Sequence, residues 1–397
     1  MTPTTNNIPQ RWKSLSGDGN WRSLLDPLDV DLQQYIIHYG AMAQATYDNF
    51  NSDPVSRNAG CNIHSKSNMF SSVGLDKGNP FKYRVTKYIY ATSSIALPLS
   101  FLCKSLSEKA WSKESNWIGY VAVATDEGKV ALGRRDVVVA WRGTIMPMEW
   151  VNDLEFPLVP ASELFGESGV ANVHQGFLSL YTSTNESVSV SRTSARDQVL
   201  SEVRKQVDLH QDEEISITVV GHSLGGSLST LNAMDITYNG VNKPSSREKG
   251  CPVAAFAFAC PRSGDINFRS VMRSLHDLHI LRISNATDIV PRIPPFLYVD
   301  VGVELTVDST KSKFLKVFSD FSNHHNLEVA YLHPLAIANG DEDIRRDIAL
   351  ANKNSDALRS KYLIKTNWWC QQNHGMVQQE DGSWKLEDHE HDDDEYP

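Results

Sequence analysis

The residues Gly221-His222-Ser223-Leu224-Gly225 have the spacing of a nucleophile elbow, in which a serine lies at a sharp turn between a strand and a helix. The run before them, Ile215 to Val220, is apolar and β-branched, and a helical pattern follows from Leu224. Glycines beside the serine remove side chains that would collide at such a turn, and a helix N-terminus stabilises nearby negative charge. We therefore predict that Ser223 is a nucleophile for acyl chemistry. His222 is expected to pack beneath the turn, because adjacent residues there point in different directions.

A carboxylic acid and a histidine base should follow Ser223, because hydrolases with this elbow order their triad Ser, then Asp or Glu, then His. Asp288 comes just after the strand-like run His279 to Ser284, at the carboxyl end where α/β sheets carry their sites. Asp265 follows another strand and is the alternative acid. It also begins a helical pattern, where a first-turn acid stabilises the helix dipole, so the sequence ranks it second.

The base must be sought among six histidines that follow Ser223, namely His324, His325, His333, His374, His389 and His391. His389 and His391 lie in a polar, acidic stretch, and His333 lies within a helical pattern that suits a core or surface residue. His324 and His325 lie just before that helix, on a loop that can bring one imidazole over the edge of the sheet. The spacing alone leaves these two adjacent histidines as alternatives.

The elements that must position these residues are those of an α/β protein. Short apolar runs predict strands at Trp117 to Ala124, Asp136 to Trp141, Ile215 to Val220, Val253 to Ala259 and His279 to Ser284. Helical spacing predicts helices at Asp29 to Phe50, Val173 to Tyr181, Ala195 to Leu209 and Leu224 to Tyr238. Because helices separate several strands, we expect a central, mostly parallel sheet flanked by helices. The first two strands are expected to pair as a hairpin across Glu127-Gly128.

Composition and charge narrow the partners and the compartment. The 397 residues include 41% apolar and 22% charged residues, as in globular proteins, and the net charge of −10 disfavours nucleic acid and docking on anionic lipid by basic patches. Five widely spaced cysteines without metal-ligand spacing predict free thiols in a reducing compartment. The N-terminal residues lack the pattern of a secretory signal, and the apolar stretch from Ile89 to Cys103 is too short to span a membrane. We expect a cytoplasmic protein.

One domain is predicted over residues 1–379, because no repeat and no long linker divides them. From residue 380 to 397 the chain is polar and acidic, and we predict a disordered tail there.

These segments together resemble the plant class II phospholipases A1, which are members of the class 3 lipase family of α/β-hydrolases. The likeness spans nearly the whole chain, which makes it more specific than the elbow alone. The matching segments are Leu25-Asp26-Pro27-Leu28, Tyr35 to Gly40, Tyr83 to Tyr90, Ala140-Trp141-Arg142-Gly143-Thr144, Val173 to Phe177, Gly221 to Gly226, Asp288-Ile289-Val290-Pro291 and His325-Asn326-Leu327-Glu328.

The resemblance implies that Asp288 is the acid and His325 the base, with His324 as a rival. It also implies that the backbone N–H groups of Thr144 and Leu224 hold the oxyanion, and that residues from about 145 to 165 form a lid. The family pattern after the base is Leu-Glu-x-Tyr-Leu-His, whereas this chain has one residue more, Leu327-Glu328-Val329-Ala330-Tyr331-Leu332-His333. This difference bears on the helix register after His325 and leaves His324 as the alternative base.

The function implied by the resemblance is hydrolysis of the sn-1 acyl ester of glycerophospholipids, at a membrane or micelle surface, through an acyl-enzyme and without a metal or cofactor. Galactolipids, monoacylglycerols and triacylglycerols are compatible with the same residues, as is acyl transfer to an alcohol. A lipase-like scaffold without activity is a further alternative, and the presence of all three triad residue types disfavours it.

Overall fold

A seven-stranded sheet forms the centre of the computed structural model, which describes residues 7–99, 101–111, 114–144, 157–167, 171–246, 248–318, 320–340, 346–369 and 376–386. Its strand order is β1-β2-β3-β6-β7-β8-β9, and the pairs from β3 to β9 are parallel, whereas β1/β2 and β2/β3 are antiparallel. The strands are β1 (Tyr83–Ala91), β2 (Asn116–Ala124), β3 (Arg135–Trp141), β6 (Ile215–His222), β7 (Val253–Phe258), β8 (Leu278–Asn285) and β9 (Val303–Val307). Two short sheets pair β4 (Leu158–Pro160) with β5 (Asn172–His174), and β10 (Met376–Gln378) with β11 (Trp384–Leu386). The predicted α/β class with a mostly parallel sheet is confirmed.

Helices cover both faces of this sheet. The α-helices of the described residues are α1 (Ile8–Leu15), α2 (Val30–Asp48), α3 (Met69–Ser72), α4 (Asp126–Leu132), α5 (Ser162–Phe165), α6 (Gln175–Thr182), α7 (Ala195–Leu209), α8 (Leu224–Tyr238), α9 (Ile266–Ser274), α10 (Phe321–His325) and α11 (His333–Ala336), and a π-helix spans Leu327–Leu332. Strand residues alternate between two apolar cores. Val137 and Val139 of β3 join the core under α7 and α8, whereas Val138 joins the core under α2. Because both faces are buried, the central strands are mostly apolar, and the buried hydroxyls of Ser216 and Thr218 both donate to the Asp136 carboxylate, at 2.7 and 2.9 Å.

Local sequence signals explain most of these boundaries. The predicted N-terminal helix is α2, and the Asp29 carboxylate caps it by accepting hydrogen bonds from the backbone N–H groups of Asp31 and Leu32 at 3.0 and 3.1 Å. Helices α7 and α8 have the predicted bounds. The pattern from Val173 to Tyr181 divides into β5 and α6.

The connection between β2 and β3 corrects one prediction. These strands pair antiparallel as expected, but helix α4 joins them instead of a tight turn at Glu127-Gly128. The Thr125 hydroxyl caps α4 by accepting from the Gly128 N–H at 3.1 Å, and Gly133 ends the helix with a φ of 78°. These cap residues make a helix favourable where the hairpin was expected.

The predicted tail boundary at residue 380 is also wrong for residues 380–386. They complete the hairpin of β10 and β11, where the Trp384 ring lies 4.7 Å from that of Trp368 and 5.8 Å from that of Trp369. A tryptophan in a polar stretch gains enough apolar contact to hold this segment on the domain. Residues 387–397 lie outside the described residues.

The predicted lid, 145–165, is described only in its second part, since residues 145–156 lie outside the described residues. That second part holds β4 and α5, and Leu164 and Phe165 are buried in the core under α8. The hydroxyl of Tyr238 donates to the Phe165 carbonyl at 2.6 Å, and the Asn239 side-chain amide donates to the Leu164 carbonyl at 3.0 Å. The second part of the predicted lid is thus a packed element, held against the end of α8.

Candidate active site

Ser223 lies at the carboxyl end of β6, between the last strand residue His222 and the first residue of α8, Leu224. Its φ is 59° and its ψ is −127°, a strained conformation for a residue that is not glycine. A Cβ at Gly221 would overlap the Gly225 carbonyl, and a Cβ at Gly225 would overlap the Trp141 carbonyl. Both glycines are therefore required for the elbow, which turns the Ser223 hydroxyl toward the edge of the sheet.

Three side chains from distant parts of the chain form one hydrogen-bonded series at this edge. The Nε2 atom of His325 lies 2.9 Å from Ser223 Oγ, and the Nδ1 atom of the same ring lies 2.7 Å from Asp288 Oδ2. All three residues are buried. Asp288 follows the end of β8 and His325 ends α10, so strand order and loop course bring together residues that are 37 and 102 positions apart.

The Asp288 carboxylate is held by two further donors. Its Oδ1 accepts the Val290 N–H at 2.9 Å, and its Oδ2 accepts the Tyr331 hydroxyl in addition to His325. Burial, and the neighbouring Asp288 charge, raise the pKa of Tyr331 well above 10, so the hydroxyl stays protonated and donates. Sequence reasoning did not find Tyr331; its place in the helical segment after the base was the available signal.

The segment with one residue more than the family pattern is the π-helix Leu327–Leu332. Because a π turn closes i→i+5 hydrogen bonds, it holds an additional residue within a helix, and such turns are frequent at functional sites. The π turn contains Tyr331, the donor to Asp288. Its last residue, Leu332, packs closely on Gly40 of α2, where a Cβ would overlap it.

The two rival residues have other partners. Asp265 caps α9, since its carboxylate accepts the Phe268 N–H at 2.9 Å and the Asn172 side-chain amide at 2.7 Å. His324 is partly exposed, and its Nδ1 lies 2.8 Å from the Thr287 hydroxyl. Among the described residues, the structure gives neither rival a hydrogen bond to Ser223.

His222 packs beneath the elbow as predicted. Its ring is buried, with Nδ1 2.7 Å from the Tyr47 hydroxyl and Nε2 2.8 Å from the backbone carbonyl of His325. Burial, together with the nearby His325, lowers the pKa of His222 well below 6.5, so the ring is neutral.

The segment that ends at Thr144 lies against the elbow, since a Cβ at Gly143 would overlap the His222 carbonyl oxygen. Trp141 of β3 pairs with Gly221 of β6, so the residues after Trp141 run level with the elbow. Thr144 is buried there, and its hydroxyl has no hydrogen-bond partner within the described ranges. Leu224 is the first residue of α8, and an N–H in the first helical turn has no acceptor within its own helix. An oxyanion needs hydrogen-bond donors beside the nucleophile, and Thr144 and Leu224 stay the predicted pair.

The sheet, the elbow and the sequence together define a class 3 lipase. The family described as Lipase (class 3) matches residues 138–298. The Lip2 lipase of Yarrowia lipolytica is a similar solved structure, with a TM-score of 0.46 and 17% identity over 71% of this chain and 80% of that one.

Curated relatives match along nearly their whole lengths. Phospholipase A1-IIgamma of Arabidopsis thaliana is 48% identical over 98% of this chain and 96% of its own. Phospholipase A1-II 7 of Oryza sativa subsp. indica is 48% identical over 98% of this chain and 99% of its own. The chain belongs to the phospholipase A1-II family of class 3 lipases. In the parts of the chain that the structure describes, no helix is both long and apolar enough to cross a membrane.

Proposed function

We propose that this protein is a phospholipase A1, which hydrolyses the sn-1 acyl ester of glycerophospholipids through an acyl-enzyme on Ser223. The observation that carries the proposal is the series of hydrogen bonds from Ser223 through His325 to Asp288. It occurs in a chain whose relatives, 48% identical over nearly their full lengths, are named phospholipases A1.

In the proposed first step, His325 Nε2 takes the Ser223 hydroxyl proton while Oγ attacks the ester carbonyl carbon. The backbone N–H groups of Thr144 and Leu224 hold the oxyanion that forms. When the intermediate collapses, the C–O bond to glycerol breaks and His325 returns the proton to the leaving alkoxide. The products of this step are an acyl-enzyme and a 2-acyl lysophospholipid.

In the second step, His325 takes a proton from water, whose oxygen attacks the acyl carbonyl. Collapse breaks the bond to Ser223 Oγ, and the proton returns to that oxygen, so that a free fatty acid leaves. Asp288 supports both steps, because it accepts from Nδ1 and so keeps the Nε2 lone pair directed at Ser223. Water is the only co-substrate that this sequence of steps consumes.

The experiment that tests this proposal uses a phosphatidylcholine with different acyl chains at sn-1 and sn-2. Mass spectrometry should find the sn-1 fatty acid and the lysophospholipid that retains the sn-2 chain, and Ser223→Ala should form neither. Release of the sn-2 chain would refute the positional assignment. If only galactolipid or acylglycerol were hydrolysed, that lipid would replace the phospholipid as the proposed substrate. If acyl esters of an added alcohol formed, the reaction would include acyl transfer. Inactivity on every one of these lipids would favour a scaffold without activity.

We propose further that the protein acts while bound peripherally to a lipid surface, through apolar contact, since its net charge is −10. The sequence of residues 145–156 carries Met146, Met148 and Trp150 before the anchored element at 158–165, and these side chains are the proposed apolar contacts. Replacing the three with serine should lower activity on vesicles much more than activity on a dissolved short-chain ester. Equal losses on both substrates would refute an interfacial role.

We propose a cytoplasmic location, which the free thiols support. Cys61, Cys103, Cys251 and Cys260 are free, and free thiols persist in reducing compartments. Fractionation of cells that express the tagged protein tests this location, and recovery in a secreted or organellar fraction would refute it.

A further inference from the structure

A second series of hydrogen bonds lies beneath the proposed triad and reaches the backbone of its base. It runs from the Tyr47 hydroxyl, near the end of α2, to His222 Nδ1 at 2.7 Å, and from His222 Nε2 to the His325 carbonyl oxygen at 2.8 Å. The rings of His222 and His325 are 4.8 Å apart between centroids. Neither Tyr47 nor His222 has a role in the steps described above.

The directions of these bonds follow from the groups themselves. A carbonyl oxygen only accepts, so His222 Nε2 carries the proton that it donates to His325. Because the buried ring is neutral, Nδ1 is then an acceptor, and the Tyr47 hydroxyl must donate to it. The Tyr47 hydroxyl thus selects the one tautomer of His222 that can hold the His325 backbone.

Tyr47 also touches the strand end that precedes Thr144. A Cβ at Gly143 would overlap the Tyr47 hydroxyl oxygen, so the two groups lie in close contact. The Tyr47 hydroxyl therefore contacts Gly143, which precedes the predicted oxyanion residue Thr144. Through His222, it is also connected to the elbow and to the backbone of His325. Only glycine at 143 allows this approach.

We infer that His222 and Tyr47 are positioning residues that hold the main chain of His325 at the distance its imidazole needs to reach Ser223. His325 ends the five-residue helix α10, and the next residue, Asn326, is already extended. The Asn285 amide holds the preceding His324 carbonyl at 3.0 Å, and the bond from His222 holds the carbonyl of His325 itself. The His222 bond joins that backbone to the last residue of β6, which is buried beside the nucleophile and paired with Phe258 of β7. A displacement of the base by about 1 Å can lower a rate about 100-fold.

The inference rests on the proposed catalytic roles, and the test separates the two. His222→Leu removes both bonds, His222→Gln keeps an amide N–H that can reach the same carbonyl, and Tyr47→Phe removes the hydroxyl only. The matched control is His333→Leu, because His333 is as buried as His222 but bonds to the Ser312 hydroxyl at 2.8 Å. Each variant is assayed for kcat and KM on a dissolved short-chain ester, for the rate of labelling by a fluorophosphonate, and for thermal unfolding.

We expect His222→Leu to lower kcat and the labelling rate about 10-fold to 100-fold with little change in KM. Tyr47→Phe should lower kcat about threefold to tenfold, His222→Gln should restore most of the activity, and a folded His333→Leu should match the original protein. In a His325→Ala background, neither His222→Leu nor Tyr47→Phe should reduce the residual rate further, because no imidazole remains to be positioned.

A normal kcat in folded His222→Leu would overturn the inference. It would also be overturned if His222→Leu lowered the rate by the same factor in the original protein and in the His325→Ala background, because that is the result of a general structural role. If His222→Leu does not fold, Tyr47→Phe decides alone, and an unchanged kcat in that variant refutes the role. Failure of the proposed function is a different result, since Ser223→Ala and His325→Ala would then keep their activity.

Discussion

Replacing Asp288 with asparagine should lower kcat about 10,000-fold while the protein stays folded. The reason is the set of donors around the carboxylate. Oδ2 accepts from His325 Nδ1 at 2.7 Å and from the Tyr331 hydroxyl, and Oδ1 accepts the Val290 N–H at 2.9 Å. Each oxygen of the carboxylate thus faces a donor, whereas an asparagine amide offers one acceptor oxygen and one NH₂ group, which only donates.

Neither orientation of the amide in Asp288→Asn suits these donors. With its NH₂ toward His325, the ring must present Nδ1 as an acceptor, so Nε2 carries the proton and cannot take one from Ser223. With its NH₂ toward Val290, the amide N–H and the backbone N–H of Val290 are two donors that face each other. In serine proteases the corresponding change of Asp to Asn costs about 10⁴ in kcat through the wrong tautomer. At about 1.36 kcal/mol per factor of ten, this is about 5.4 kcal/mol of barrier.

The assay is hydrolysis of a dissolved short-chain ester and of phosphatidylcholine, with folding checked by circular dichroism and thermal unfolding. Asp265→Asn is the matched control, since asparagine can also cap α9 and Asp265 has no hydrogen bond to His325 among the described residues. Its activity should stay within about twofold. If Asp288→Asn lost less than tenfold, or if Asp265→Asn lost more than Asp288→Asn, the argument from the donor set would be wrong.

Three other results are expected. Ser223→Ala should fold normally, lose about 10⁶ in kcat and lose fluorophosphonate labelling, and near-normal turnover would exclude the elbow as the nucleophile. Tyr331→Phe removes one donor to Asp288 and should lower kcat about tenfold at similar KM; unchanged kcat would show that this bond is dispensable. Burial lowers the pKa of His38 and of His174 from 6.5 to about 3. Between pH 6.5 and about 3, both histidines are therefore protonated in the unfolded chain and neutral in the folded protein. The free energy of unfolding in urea should therefore fall by about 1.4 kcal/mol per pH unit for each histidine from pH 6.5 to about 3, and equal stability at pH 7 and 5 would contradict this.

Several features of this protein were predictable because they depend on near neighbours in the chain. The β-branched run before Ser223 and the helical pattern after it predict β6, the turn and α8. Both acids follow strands, and Asp265 ranked second because it begins a helical pattern, which the structure shows as its cap on α9. Helix α4, which lies where a hairpin turn was predicted, also had local signals in the sequence, since Thr125 and Gly133 at its two ends are typical helix-cap residues.

Other features follow only from the tertiary structure. Sequence spacing left His324 and His325 as alternatives, because neighbouring residues share their local pattern, and the course of the chain at the end of α10 turns one ring toward Ser223 and the other toward Thr287. The contact of Tyr331 with Asp288 depends on the π turn that follows His325, and no periodicity predicts that turn.

The bond between Tyr47 and His222 is the clearest case, because these residues are 175 positions apart in the chain. Periodicity and turn chemistry act over a few residues, so they determine which segments become strands, helices and turns. The order of the parallel strands and the packing of α2 on the sheet decide which strand ends lie together. Each of these contacts supports the others, so none of them follows from one segment alone. The sequence by itself therefore determined the proposed nucleophile and the type of fold, and the tertiary structure decided which histidine bonds to Ser223 and which residue bonds to the backbone of that histidine.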